Sequence, residues 1–253
     1  MYKSLVIKVG TNVLTRPDGR LDVTNISHLV DQIALLKKNG VSLVLVSSGA
    51  VGAGMELLPS LVTEDEVARR QVFSATGQVR LMELYRQLFA GHDLVCAQVL
   101  ATKGDFRDQR HYDNMYNCFR GLLGDQIVPV VNENDVVAVT ELMFTDNDEL
   151  AGLVARMLRV EALVILSSVD GLYDGPPEDE ASALIRLVEA NDKTVMEFVQ
   201  EKKSSRGRGG MATKLKIATK TAREGIPVYL GNGRRPGILN ALEAASWPGT
   251  IIR

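Results

Sequence analysis

The sequence predicts an α/β protein, and three observations carry that reading. Short apolar runs alternate with segments whose apolar residues recur at helical spacing. Small or glycine residues follow several of the apolar runs directly, where a buried strand hands over to a helix. With 45% hydrophobic residues over 253 positions, the chain has enough apolar material for one large domain or two modest lobes.

Taken in order, Leu5–Val9 is an apolar strand interrupted by Lys8. A lysine in a buried strand is costly unless its ammonium reaches water, an anion or a partner. It either snorkels from an edge strand or turns toward a phosphate, which the following Gly10-Thr11 would let approach the backbone closely. A helix from about Asn25 to Asn39 ends at Gly40. Strand Leu43–Val46 leads into Ser47-Ser48-Gly49-Ala50-Val51-Gly52-Ala53-Gly54. That run is either a plain glycine-rich turn or an anion site at a helix N-terminus. Glu64–Ala90 is helical, and Gly77 predicts a break into two helices. Leu94–Leu100 is a third strand, and Asp105–Leu123 begins polar and becomes amphipathic.

The stretch Pro129–Leu150, PVVNENDVVAVTELMFTDNDEL, is the most informative. An apolar strand, Ile127–Val131, stops at Asn132-Glu133-Asn134-Asp135. A β-rich stretch follows, and then Asp146-Asn147-Asp148 opens a helix carried by Leu150, Leu153, Val154, Met157 and Leu158. Asp or Asn at such a start caps free N–H groups. Each cluster alone reads as a turn; together they predict a pocket for a small ligand carrying an amine and a carboxylate. Ala162–Leu166 is another buried strand, ending in Ser167-Ser168, and Asp174–Asp179 is an exposed acidic loop. Lys202–Gly210, KKSSRGRGG, is a basic glycine-rich segment entering a helix at Met211-Ala212-Thr213-Lys214. It suits a nucleotide's phosphates or serves as a surface linker. Strands at Pro227–Leu230 and Gly249–Ile252 complete the pattern.

The formal net charge is −2 with both signs interspersed, so neither a nucleic-acid nor a membrane surface is expected. No apolar run approaches the roughly 18 residues of a membrane span. The N-terminus lacks a signal-peptide layout, and Cys96 and Cys118 have no metal-ligand spacing, which predicts two buried thiols in a reducing, cytoplasmic setting.

The motifs K-V-G-T (Lys8–Thr11), S-S-G-A (Ser47–Ala50), N-E-N-D (Asn132–Asp135), D-N-D (Asp146–Asp148), G-L-Y (Gly171–Tyr173) and G-G-M-A-T-K (Gly209–Lys214) occur in that order. In this the whole chain resembles the glutamate 5-kinases of the amino acid kinase family. The resemblance implies a three-layer αβα sandwich on a mostly parallel sheet, with an acceptor lobe over about residues 1–160, a nucleotide lobe over about 161–253, and no PUA domain. It implies phosphorylation of the side-chain carboxylate of glutamate by ATP, the opening step of proline synthesis. Another carboxylate or carbamate kinase, or a silent nucleotide or amino-acid sensor, is the alternative. Carried over by position, Ser48, Asp135 and Asn147 would bind glutamate. Lys8 and Lys214 would contact the phosphates, and Asp148 would orient both lysines. Gly10, Ser167, Ser168 and the run Arg208, Gly209, Gly210, Met211, Ala212, Thr213 and Lys214 would hold ATP, with Mg²⁺ carried mainly on its phosphates. The resemblance also implies a homo-oligomer, with proline as a candidate feedback inhibitor. Ser168 stands where the family usually has Asp.

The chemistry agrees. A side-chain carboxylate of pKa about 4.3 is ionised at neutral pH and needs no general base to attack phosphorus. What it needs is neutralisation of phosphoryl charge and in-line alignment, which two lysines and backbone N–H groups at Gly10 and Gly49 would supply.

Overall fold

The computed structural model describes residues 2–138, 146–192, 210–243 and 246–253. The strands in chain order are β1 (Ser4–Val9), β2 (Ser42–Ser47), β3 (Cys96–Ala101), β4 (Val128–Glu133), β5 (Ala162–Ser167), β6 (Leu172–Tyr173), β7 (Leu184–Ile185), β8 (Leu187–Val188), β9 (Val228–Asn232) and β10 (Thr250–Ile252). The helices are α1 (Thr11–Leu14), α2 (Val23–Lys38), α3 (Ala50–Leu57), α4 (Glu66–Ala90), α5 (Gln109–Gly124), α6 (Asn147–Leu158), α7 (Met211–Arg223) and α8 (Asn240–Glu243). Eight strands form one sheet in the order β3-β4-β2-β1-β5-β9-β10-β8. The pairs from β3 to β9 are parallel, and β10 runs antiparallel to β9.

Both faces of this sheet are covered, which is why its strands read as nearly continuous apolar runs. One face packs Leu5, Ile7, Leu43, Leu45, Val130 and Val164 against Ile26 and Ile33 of α2 and Leu81, Tyr85 and Phe89 of α4. The other packs Val6, Val44, Val46, Leu163 and Ile165 against Phe119 of α5, Leu150 and Val154 of α6, and Leu215 and Ala218 of α7. The result is the three-layer αβα sandwich. Because side chains alternate along a strand, Lys8 shares its face with Val6 and is aimed at α6 and α7.

β1 lies between β2 and β5, and the connections that leave β1 and β5 run toward opposite edges of the sheet. Open α/β sheets hold ligands in the crevice beyond the strand ends at such a point. Gly10, Ser48, Asn134 and Ser168 follow directly on β1, β2, β4 and β5 there.

Three expectations need correction, and a fourth falls mostly outside the described residues. Glu64–Ala90 is not two helices: α4 is unbroken from Glu66 to Ala90. Gly77 is there for contact rather than breakage, since a Cβ would lie 1.8 Å from the Ala50 carbonyl oxygen and 2.3 Å from the Gly54 nitrogen. Gly54 faces α4 in return, its Cβ position 1.9 Å from the Phe73 oxygen. The strand expected to stop at Val131 runs on through Asn132 and Glu133, which pair with Leu100 and Ala101. The β-rich stretch expected after Asp135 starts as a turn at Val136, and positions 139–145 lie outside the described residues. The two thiols are not both buried, for Cys96 is half-buried and Cys118 exposed on α5.

The α3–α4 contact makes a direct prediction. Gly77→Ala should destabilise the fold by at least about 2 kcal/mol, because neither backbone can yield to the new methyl group. Gly121→Ala in α5, where a Cβ meets nothing within 4 Å, should instead stabilise by roughly 0.5–1 kcal/mol. Urea unfolding of both variants checks the contrast, and equal effects would mean that the α3–α4 backbones are not in contact.

Candidate active site

At the centre of the crevice two lysines from opposite ends of the chain meet one carboxylate. Lys8 Nζ lies 2.5 Å from Asp148 Oδ1, and Lys214 Nζ lies 2.8 Å from Asp148 Oδ2. Asp148 is fully buried and Lys8 is 4% exposed. Asp148 stands in the first turn of α6, whose N-terminal dipole favours a negative charge. Asp146 caps the same helix, its Oδ1 accepting from the backbone N–H of Asp148 at 2.8 Å and of Glu149 at 3.2 Å. Burial alone would raise the Asp148 carboxyl, but the ammonium groups of Lys8 and Lys214 outweigh it and hold the group below the usual aspartate range. Asp146 goes the other way, pushed up to about 6 by burial and then by the Asp148 charge, which the lysines offset only in part. Its Oδ2 is buried and has no hydrogen-bond partner.

Two cavities adjoin at this point. The first, of about 250 Å³, is lined by Ser48, Gly49, Arg70, Asn132, Glu133, Asp135 and Asn147 among others. The second, of about 380 Å³, is lined by Lys8, Gly10, Asn12, Ser167, Ser168, Pro177, Met211 and Lys214 among others. Thr11, Ser48, Asp146 and Asn147 border both.

The wall of the first cavity is a lattice of side-chain amides. Asn147 Nδ2 lies within hydrogen-bond distance of Ser48 Oγ and Asn132 Oδ1, both at 2.9 Å, and of the Ser47 carbonyl at 3.2 Å. Asn132 in turn donates to Gln78 Oε1 on α4 at 2.9 Å. Asp135 receives Arg70 Nε and Nη2 on one oxygen, at 3.2 and 2.8 Å, and the Ser74 hydroxyl on the other at 2.9 Å. Gly49 turns the chain at φ 102°, a left-handed conformation that suits glycine.

The sequence-predicted residues therefore gather in two groups. Ser48, Asp135 and Asn147 face the first cavity; Lys8, Gly10, Ser167, Ser168, Met211 and Lys214 face the second. Gly210 is the N-cap of α7, and Ala212 and Thr213 lie in its first turn without lining either cavity. Arg208 and Gly209 lie outside the described residues. One expectation fails: the Gly10 N–H is not open to a phosphate, because it donates to the Leu166 carbonyl at 3.1 Å. Arg70, Ser74 and Gln78 went unrecognised, since inside a helical stretch each reads as solvated surface. Pro177 brings the acidic loop to the second cavity, which composition alone does not signal.

Residues 3–232 match the amino acid kinase family. The chain is 51% identical over 238 residues to the glutamate 5-kinase of Bacteroides thetaiotaomicron, covering 94% of this chain and 66% of that protein. It is 48% identical over 250 residues to the glutamate 5-kinase of Chlorobaculum tepidum, covering 99% and 69%. The chain belongs to the glutamate 5-kinases of the amino acid kinase family. It spans about two thirds of the length of these relatives. Among solved structures, the carbamate kinase from Giardia lamblia bound to AMP-PNP superposes with a TM-score of 0.72 at 18% identity, covering 99% of this chain and 98% of that one. At that identity the likeness is one of fold.

In this kinase the buried triad should behave as one unit. Asp148→Asn leaves the Lys8 ammonium buried without its counter-charge, which should cost about 3–5 kcal/mol. Adding Lys8→Met should restore part of that loss, since contacting residues are not additive. Urea unfolding of the single and double variants decides it; strictly additive losses would mean that the ion pair carries no coupling.

Proposed function

We propose that the two cavities are the acceptor and nucleotide sites of ATP-dependent phosphorylation of the L-glutamate side-chain carboxylate. The observation that supports this best is the placing of Asp148, which grips both lysines where an acid- and amide-lined pocket meets a second, larger pocket. In this reading the acceptor lobe is built mainly before residue 160. Lys8, from β1, and Lys214, from α7, are its cationic link to the nucleotide lobe.

The γ-carboxylate of glutamate arrives ionised, so no proton has to be removed. It enters at the shared border of the cavities, beside Thr11, Ser48 and Asn147. Lys8 and Lys214 neutralise charge on the transferring phosphoryl group, and Asp148 holds both ammonium groups in place before substrate binds, so little reorganisation is needed during transfer. Ser167, Ser168 and Met211 flank the nucleotide. Mg²⁺ in such reactions sits mainly on substrate phosphates with one or two carboxylates. Asp146 fits that part: among the described residues its Oδ2 is buried and unpartnered at the border of both cavities, and a cation there would favour the carboxyl's charged form. The ion would supply further neutralisation of phosphate charge. Asp135, with Glu133 beside it, would hold the substrate's ammonium.

With Mg-ATP the protein should convert L-glutamate to γ-glutamyl phosphate, trapped as the hydroxamate by hydroxylamine. Product from aspartate, N-acetylglutamate or carbamate, with none from glutamate, would refute the assignment. Lys214→Met should lower kcat by roughly 10²–10³, the range for removing one preorganised charge-stabilising donor. Asp135→Ala should act mainly through the glutamate KM, because its partner is present in ground and transition states alike. Steady-state kinetics of the two variants separate these roles, and the opposite pattern would mean they are interchanged.

A further inference from the structure

We propose that Arg70 is the α-carboxylate receptor of the acceptor pocket, and that with Asp135 it forms a clamp for the amino-acid head group. This rests on the reading of the first cavity as the glutamate site. Thr11, Ser48, Asp146 and Asn147 border both cavities, which makes that end the reacting end; Arg70, Glu133 and Asp135 line the first of the two and not the second. A substrate whose γ-carboxylate lies at the shared border therefore presents its ammonium and α-carboxylate to Arg70, Glu133 and Asp135.

Charge counting points to the same place. Among the described residues lining this cavity there are three carboxylates, Glu133, Asp135 and Asp146, and a single cation, Arg70. Such a lining attracts the ammonium and repels both substrate carboxylates unless each meets a donor. The γ-carboxylate has the lysine end of the crevice; the α-carboxylate has Arg70. The guanidinium offers five N–H groups in a rigid fork. Its Nε and Nη2 donate to one oxygen of Asp135, and Nη2 is 3.9 Å from Glu133 Oε2. With a 37% exposed side chain that lines the cavity, Arg70 can offer an incoming ligand donors beyond those it gives Asp135. An arginine held by acids thus offers alternating positive and negative charge, the complement of a zwitterionic α-amino acid.

The test uses the intact enzyme and three related compounds. Formation of γ-glutamyl hydroxamate by the wild type examines the parent reading by itself, before any variant is made. In Arg70→Gln the KM for L-glutamate should then rise roughly 10- to 100-fold while kcat stays within about threefold, the size expected for losing charge-assisted hydrogen bonds present throughout the reaction. The inhibition constant of 4-aminobutyrate, which lacks the α-carboxylate, should not change. That of glutarate, which keeps both carboxylates but lacks the ammonium, should weaken in parallel with glutamate. Arg70→Lys should recover part of the loss, as a point charge without the fork. If 4-aminobutyrate weakens as much as glutamate, Arg70 merely holds Asp135 in place and the proposal fails. It fails equally if the glutamate KM does not move, which would leave the α-carboxylate to backbone N–H groups around Gly49.

Discussion

A single buried carboxylate organises this molecule. Asp148 is fully enclosed, and an ionised group there is tolerable only because two ammonium groups and a helix N-terminus answer it. Those partners come from β1 and α7, some two hundred residues apart in sequence, so the contact is possible only once the central sheet is assembled. The arrangement is costly as a stabilising device, since a buried ion pair gains little over apolar packing. In the proposed reaction its value lies in chemistry: two cations stand fixed at the second cavity, where phosphate charge would be neutralised.

The first cavity depends on a different constraint. α3 and α4 touch backbone to backbone at Gly54 and Gly77, which brings Arg70, Ser74 and Gln78 of α4 down to the end of β4. From there the amide chain Gln78–Asn132–Asn147–Ser48 ties α4, β4, α6 and the loop after β2 together. A pocket built from four elements by directional hydrogen bonds has a fixed shape, and fixed shape is what in-line transfer requires. The wall and the lysine triad share α6, where Asn147 borders both cavities and the next residue, Asp148, is buried against the two lysines of the second. One helix start therefore shapes both cavities.

Much of this was legible beforehand. Lys8 within an apolar strand signalled a buried cation with a special partner, because burying an unpaired ammonium is prohibitive. The polar clusters at Asn132–Asp135 and Asp146–Asp148 signalled a pocket, because both interrupt strong apolar patterns. The longer strands and most helices followed from residue pattern, whereas the two-residue strands β6, β7 and β8 carried no such signal. Gly77 misled for a physical reason: glycine weakens an isolated helix, but here it admits another backbone. The strand through Asn132 and Glu133 misled likewise, since hydrogen bonding to β3 overrides the polar character of its last residues.

By itself, then, the sequence determined the alternating strands and helices, the α/β class, the family and the chemically unusual residues, all of which are set by local pattern and residue type. Only the tertiary structure decided which of those residues share a cavity. It set the Lys8 and Lys214 ammonium groups on opposite oxygens of Asp148, a grouping that the family resemblance had implied, drew Arg70 from a helix surface to the first cavity, and gave the Gly10 N–H to Leu166 rather than to a ligand. The reason is physical: period and propensity describe what each segment buries, whereas partnership across a crevice is fixed by strand order and helix approach, which arise only when distant segments pack.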